Sequence, residues 1–214
     1  MDSTTTLTRT PLTRRLILDA ALAYIDMHGL AALSMHKLGA VLGVKGMSLY
    51  NHVASKDDVY DGVIDILWSE VETAAPVIDD WRAGARGLAH AIRAAVARHP
   101  NAAPLITSRP FMPTPALRVV RDHIAAAVSS GIAEDRAYDV LRTLTTYALG
   151  SAFAELCWGM GGTCRPAVSD MLRPGTPDEL AAVADVFCGQ SDPDTMFELG
   201  VELMLRGIDC THTP

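Results

Sequence analysis

The fold of this chain is decided by the segment LSMHKLGAVLGVKGMSLYNHVASKDDVYDGV, residues 33–63. Ser34 can cap a short helix on which Leu38 and Leu42 share one face. Gly43 can adopt the positive φ of a tight turn, so that helix ends there and a second short helix follows. Two short helices joined by a turn that contains glycine are typical of a helix-turn-helix.

Longer helices flank this segment on both sides. Thr10-Pro11 has the form of a helix start, and the helical pattern that follows it ends at Gly29. The second short helix is predicted over residues 47–53, and the S-x-x-D motif at Ser55 opens another long helix. Further helices are predicted near residues 79–98, 101–108, 114–130, 133–158, 177–188 and 192–209, with a long glycine- and proline-rich loop over 159–176. No alternating run of β-branched residues has the length of a strand, so we expect an all-α protein.

The outward side chains of the helix-turn-helix form the first candidate site. They are His36, Lys37, Lys45, Gly46, Met47, Ser48, Tyr50, Asn51, His52 and Lys56. Small residues at the start of the second short helix allow its end to enter a DNA major groove, which is about 12 Å wide. The tyrosine and histidine side chains can donate hydrogen bonds to phosphates. An ordinary helical hairpin with solvated polar groups is the alternative.

The charge distribution favours the nucleic-acid interpretation. Residues 1–56 contain six Lys or Arg and three Asp, whereas the 214-residue chain has a formal net charge of −7. A basic N-terminal part on an acidic remainder indicates that the N-terminal part meets a polyanion.

The composition indicates a globular protein of the cytoplasm. Hydrophobic residues make up 49% of the chain, which is enough for a substantial core and too much for a disordered chain. No apolar run approaches the roughly 18 residues of a membrane span, and the N-terminus lacks the apolar core of a secretory signal. The four cysteines have no zinc-binding spacing, and we interpret them as buried thiols.

The N-terminal part resembles the DNA-binding domain of TetR-type transcriptional repressors. The resemblance covers about residues 13–63 and rests on Leu42-Gly43-Val44, Ser48-Leu49-Tyr50-Asn51-His52-Val53 and Ser55-Lys56-Asp57-Asp58. It implies base-edge contacts for Gly46, Met47 and Ser48, and DNA-backbone contacts for Tyr50, His52 and Lys56. Gly39 stands where alanine is usual in the family, so we expect a looser helix there.

The rest of the chain resembles the branch of that family typified by the tetracycline repressor. The motifs that carry this resemblance include Arg98-His99-Pro100, Ser108-Arg109-Pro110 and Phe197-Glu198-Leu199-Gly200. The resemblance implies a flexible arm over residues 1–10, a helix-turn-helix domain over 11–56, and an effector-binding and dimerisation domain over 57–214.

The resemblance does not extend to the residues that bind the magnesium–drug chelate of the tetracycline repressor. That repressor has a histidine shortly before its Arg-Pro pair, where this chain has Pro104, Leu105 and Ile106. A second drug-contacting histidine is replaced near Glu72. We therefore expect a different effector, with no metal and no cofactor.

Aromatic and polar side chains of the C-terminal part are candidates for an effector pocket. They are Trp68, His90, Arg109, Phe111, Met112, His123, Tyr147, Phe153 and Trp158. Arg109 and His123 are the predicted polar anchors. Ordinary core packing is the alternative for each aromatic residue, and Arg109 equally suits a helix cap or a pairing with an acid.

The last two long helices are predicted to form a four-helix interface with a second copy of the chain. One apolar stripe is Leu141, Leu144, Ala148, Ala152 and Leu156, and the other is Phe197, Val201, Leu205 and Ile208. A purely intramolecular bundle is the alternative. Together these features predict a homodimeric regulator that binds a double-stranded, pseudo-palindromic operator and is released by a small, largely hydrophobic effector.

Two other classes of function are the alternatives to a regulator. A ligand-binding carrier of the same fold, without operator binding, is the first alternative, because the surface facing the bases carries few polar groups. An enzyme is the second, but the sequence has no nucleophile elbow, phosphate-binding loop or metal motif. We therefore expect that the protein is not an enzyme.

Overall fold

The chain folds into packed α-helices. The computed structural model describes residues 11–157, 167–189 and 192–207, and within these ranges every regular element is helical, as the sequence predicts. The helices are α1 (Arg14–His28), α2 (Met35–Val41), α3 (Gly46–Leu49), α4 (Lys56–Ala74), α5 (Trp81–Arg98), α6 (Pro104–Ser108), α7 (Thr114–Ser129), α8 (Glu134–Cys157), α9 (Val168–Met171), α10 (Asp178–Ala184) and α11 (Pro193–Arg206). Among the helices described, none combines the length and the apolar character that crossing a bilayer requires. The predicted N-terminal arm, residues 1–10, lies outside the described residues.

Side-chain caps set where α1, α2 and α4 begin. Thr13, Ser34 and Ser55 each accept a hydrogen bond from the backbone N–H three residues further on. These bonds satisfy N–H groups that have no partner within the helix. The caps at Ser34 and Ser55 are as predicted, but the predicted start at Thr10-Pro11 is wrong, because Pro11 precedes the Thr13 cap.

Glycines set the distance between α2 and α3. Gly43 turns the chain with a φ of 65°. A Cβ atom built on Gly39 would lie 2.8 Å from the backbone nitrogen of Gly46, so only glycine fits at this crossing. The prediction of a loose helix at Gly39 is therefore wrong, because this glycine is buried and permits a tight contact. The second short helix covers four residues, fewer than the predicted 47–53.

Apolar side chains form two main cores. The first, in α1 to α4, includes Ile17, Ile25, Leu38, Leu49 and Leu67, and the second, in α4, α5, α7, α8 and α11, includes Leu88, Ile92, Leu144, Phe197 and Val201. We call α1 to α3 with the first half of α4 the head, and α5 to α11 the body. Trp68 packs against both cores, and Ala102 and Leu105 of the body enter the first core. The body therefore contacts the head directly.

The predicted apolar stripes of α8 and α11 face the inside of their own chain. Leu144, Ala148, Phe197 and Val201 are at most 1% exposed and pack in the body core. Leu141, Ala152 and Leu205 are also buried, Leu156 is half-buried, and Ile208 lies outside the described residues. The prediction that these stripes form a dimer interface is therefore wrong, because buried side chains are not available to a second subunit.

Three further expectations are corrected in the body. α6 begins at Pro104, three residues later than predicted, because residues 101–103 form turns. The predicted loop contains the short helix α9, and its residues 159–166 lie outside the described part of the chain. Cys157 is exposed and Cys188 is half-buried, so neither is the buried thiol that composition suggested.

Candidate nucleic-acid interface

The residues predicted to contact DNA lie on α2, on α3, in the turns beside α3 and at the start of α4. Seven of them are exposed: His36, Lys37, Lys45, Met47, Tyr50, Asn51 and His52. Gly46, Ser48 and Lys56 are half-buried. The side chain of Met47 is 76% exposed.

A hollow of about 530 Å³ lies between α2 and α3. It is lined by Met35, His36, Ala40, Val44, Lys45, Gly46, Met47 and Tyr50. Most of this lining is apolar, and the polar side chains are one imidazole, one ammonium and one phenol. A surface that combines apolar groups with donors and positive charge suits the base edges and phosphates of a duplex.

Gly46 has a packing role at this surface. A Cβ atom built on Gly46 would lie 3.0 Å from the carbonyl oxygen of Met35 and 3.2 Å from the Cα of His36. The side-chain direction of Gly46 therefore points at α2. Only the backbone of Gly46 can therefore face base edges, and the missing side chain is what lets α3 approach α2.

Two lysines of the candidate surface are held by contacts within the head. The ammonium of Lys37 donates a hydrogen bond to the carbonyl oxygen of Ala32 over 3.0 Å. The ammonium of Lys56 lies 5.2 Å from the centre of the Tyr60 ring, a cation–π contact. An ammonium has three N–H donors, so each lysine can still reach a phosphate. Held side chains lose less conformational entropy when they bind.

An ion pair that the sequence did not predict fixes the start of α4. The guanidinium of Arg14 donates two hydrogen bonds, of 2.8 and 2.7 Å, to the carboxylate of Asp58. The same carboxylate accepts a hydrogen bond from the backbone N–H of Ala54. The hydrogen bonds from Arg14 lower the pKa of Asp58. The first turns of α1 and α4 are thus tied together beside Lys56.

Arg109 links the body to the same end of α4. Its guanidinium lies 3.1 Å from the carboxylate of Asp57 and also pairs with Asp61. Of the roles that the sequence left open, pairing with an acid is the one observed. Its neighbours Phe111 and Met112 are 40% and 57% exposed, so they do not line an enclosed pocket here.

His123, the other predicted anchor, is buried in the body. It is 5% exposed, and its Nδ1 atom lies 2.9 Å from the carbonyl oxygen of Val119. A carbonyl oxygen only accepts, so Nδ1 carries the hydrogen, and in the neutral ring Nε2 is an acceptor. That Nε2 atom is buried and has no hydrogen-bond partner within the described part of the chain.

The other predicted pocket residues are spread over the body. Tyr147 stacks on Phe197 and donates to backbone carbonyl oxygens of α11, and His90 lies 2.8 Å from the Glu198 carboxylate. Trp68 lies between the two cores, Phe153 packs in a smaller cluster of α5, α6 and α8, and Trp158 lies outside the described residues. The structure therefore does not gather the nine candidates around one point.

Charged residues of the body and of the second half of α4 form pairs between helices that the sequence gave no sign of. Arg93 donates to the carboxylate of Glu155 over 2.9 and 3.0 Å and also pairs with Asp194. Arg118 forms two hydrogen bonds with Glu72, which lower the pKa of that carboxyl. Such pairs join residues far apart in the chain, so no spacing reveals them. In residues 11–157, 167–189 and 192–207, no group of three or more His, Cys, Asp and Glu is placed to hold a metal ion.

Comparison with known proteins agrees with this geometry. Residues 74–211 match the family described as tetracyclin repressor-like, C-terminal domain. An HTH-type transcriptional regulator of Saccharopolyspora erythraea is 30% identical over 207 residues, which cover 95% of this chain and 87% of that protein. The class A tetracycline repressor of Escherichia coli is 26% identical over 201 residues, covering 90% and 88%.

A solved structure has the same architecture. The TetR family protein ActR of Streptomyces coelicolor, in complex with actinorhodin, superposes with a TM-score of 0.77 at 25% identity. The match covers 96% of this chain and all of that one.

Proposed function

Because the chain belongs to the TetR family of transcriptional regulators, we propose that it represses transcription by binding a pseudo-palindromic DNA operator as a homodimer. A small, largely apolar effector then releases it. The observation that carries the proposal is the set of exposed donors and apolar side chains on α2, α3 and the start of α4. The regulator acts in the cytoplasm on this account.

DNA binding is supported by the chemistry of the exposed head. His36, Lys45 and His52 are exposed, and Lys56 lies at the first turn of α4. Lysine ammonium groups and exposed N–H groups at helix starts contact phosphates, whereas the apolar hollow meets base edges. We therefore expect affinity for DNA to fall steeply as the salt concentration rises.

A dimer is supported by the outer face of α11. Met196, Leu199 and Leu203 recur at helical spacing and are 50%, 50% and 63% exposed. A hollow of about 240 Å³ between α8 and α11 adjoins this face. We propose that a second copy of the chain covers it, so that two heads meet major grooves about 34–36 Å apart. This face replaces the buried stripes as the proposed interface.

The effector site is proposed to lie around His123 in the body. His123 lies on α7, which packs against α4, α5 and α8, and its buried Nε2 atom has no hydrogen-bond partner within the described residues. A buried acceptor without a partner favours a ligand that donates a hydrogen bond, such as a hydroxyl group. Trp68, which packs against the body core that includes Val119 and Ile124 of α7, is the proposed aromatic contact.

Selection of duplexes from a random pool at about 150 mM salt tests the proposal. We expect the bound fraction to be enriched in an inverted repeat. A folded protein that enriches no sequence would exclude operator binding and favour a ligand-binding carrier of the same fold.

A further inference from the structure

The residues that line the hollow between α2 and α3 limit which groups of a DNA base edge the head can bind. Met35, Ala40, Val44 and Met47 give it apolar walls, and Gly46 contributes no side chain. Met47 is 76% exposed, so its thioether side chain stands free for contact. The residues that line the hollow include no Arg, Gln or Asn, and its polar side chains are those of His36, Lys45 and Tyr50.

The major groove offers one apolar group to such a surface. Each base edge presents hydrogen-bond donors and acceptors, and thymine alone adds a 5-methyl group. A donor or acceptor pressed against an apolar wall loses its water without a replacement bond, which is costly. A methyl group in the same position gains from burial. On these grounds an apolar wall favours thymine over the other bases.

We propose that the hollow recognises thymine methyl groups, so that apolar contact at Met47 and Val44 is the main source of base specificity in each operator half-site. The flanking Lys45 supplies positive charge, and His36 can supply a ring N–H donor, for the phosphates of the same groove. This inference rests on the proposed function, because it assumes that α2 and α3 face DNA.

Replacement of thymidine by deoxyuridine tests the inference, since it removes the methyl group alone. Each position of the selected operator is substituted in turn, and the dissociation constant is measured by fluorescence anisotropy. We expect a loss of about four-fold for each methyl group that the hollow buries. The substitutions that weaken binding should fall at symmetric positions in the two half-sites.

Variants of two equally exposed methionines assign the effect to the hollow. Met47→Ala should abolish the difference between the thymidine and deoxyuridine duplexes at one symmetric pair of positions. Met27→Ala is the matched control, because Met27 is 77% exposed but lies on α1 outside the hollow. It should leave the difference unchanged.

The outcomes separate this inference from the proposed function. A pool that enriches no sequence overturns operator binding itself. An enriched operator that binds equally well with deoxyuridine throughout overturns only the thymine inference. Sensitivity to deoxyuridine that persists unchanged in Met47→Ala, Met35→Ala and Val44→Ala overturns it as well.

Discussion

The imidazole of His99 lies 2.8 Å from the carboxylate of Asp26, and this contact joins the end of α5 to α1. The other ring nitrogen lies 3.2 Å from the carboxylate of Glu70 on α4. Asn101 adds a hydrogen bond of 2.8 Å to the backbone carbonyl oxygen of Asp26. One half-buried histidine thus connects the body to two helices that enter the head.

Substitution of His99 should loosen this connection. We expect His99→Ala to lower the free energy of unfolding by about 1–2 kcal/mol, because two partly buried carboxylates lose a hydrogen-bond partner. Urea denaturation followed by circular dichroism measures the change. His28→Ala, an exposed histidine of α1, is the control and should change stability by less than about 0.5 kcal/mol. Equal effects of both variants would contradict the role given to His99.

Substitution of Gly39 should damage the DNA-binding surface. A Cβ atom at Gly39 would lie 2.8 Å from the Gly46 nitrogen and 2.9 Å from the Val44 carbonyl oxygen, so Gly39→Ala must separate α2 from α3. We expect it to weaken operator binding by about ten-fold or more and to lower stability. Gly87→Ala is the matched control, since no atom would lie within 4 Å of its Cβ and alanine should stabilise α5 by about 0.5–1 kcal/mol. Normal DNA binding by Gly39→Ala would show that the crossing tolerates a side chain.

The pair between Arg14 and Asp58 should make stability depend on pH. Hydrogen bonds from Arg14 lower the pKa of Asp58, so the pair stabilises the fold above the pKa of the unfolded carboxyl, about 3.9. That contribution disappears as the pH falls through the lower pKa of the folded state. The destabilisation caused by Asp58→Asn should therefore be largest near pH 7 and shrink below about pH 4.

Urea denaturation of the wild type and of Asp58→Asn over pH 3–7 measures this dependence. Asp19→Asn is the control, because Asp19 pairs with Arg15 on an exposed surface and such pairs contribute little. A destabilisation by Asp58→Asn that stays constant across the range would exclude the ion pair as its cause.

The unpartnered Nε2 atom of His123 should lower the free energy of unfolding of the effector-free protein. We expect His123→Phe to keep or raise the free energy of unfolding, by up to about 1 kcal/mol, because a buried acceptor without a partner is removed. Tyr147→Phe is the comparison, since the Tyr147 hydroxyl is bonded to backbone carbonyl oxygens and its loss should cost about 1 kcal/mol. Destabilisation by His123→Phe of more than about 1 kcal/mol would contradict this account, because it would exceed what the loss of the hydrogen bond from Nδ1 to Val119 contributes.

Local signals in the sequence predicted the head well. Ser34, Gly43 and Ser55 act within one turn of their own position, through a capping hydrogen bond or a positive φ. The start of α1 is predicted too early, at Thr10-Pro11, because several threonines near the N-terminus could each cap the helix and Thr13 is the one that does. The packing role of Gly39 could not be predicted in the same way, because it depends on Gly46, a residue of the neighbouring helix α3.

Features that depend on packing between distant helices could not be predicted. The heptad-like stripe of α8 shows which side chains are buried, but it does not say whether the same chain or a second copy covers them. Phe197 and Val201 are covered within the chain, whereas Met196, Leu199 and Leu203 on the outer face of α11 are left exposed. The partners of Arg93 and Arg109 lie 48 or more residues away, so they could not be predicted for the same reason.

The central claim, that two heads bind one operator as a dimer, is tested most directly by changing the spacing of the selected half-sites. The dissociation constant is measured for the selected inverted repeat and for the same duplex with five base pairs inserted at its centre. Five base pairs rotate one half-site by about half a helical turn, so a dimer that spans both should lose about a hundred-fold or more in affinity. Equal affinity for the two duplexes would contradict the account.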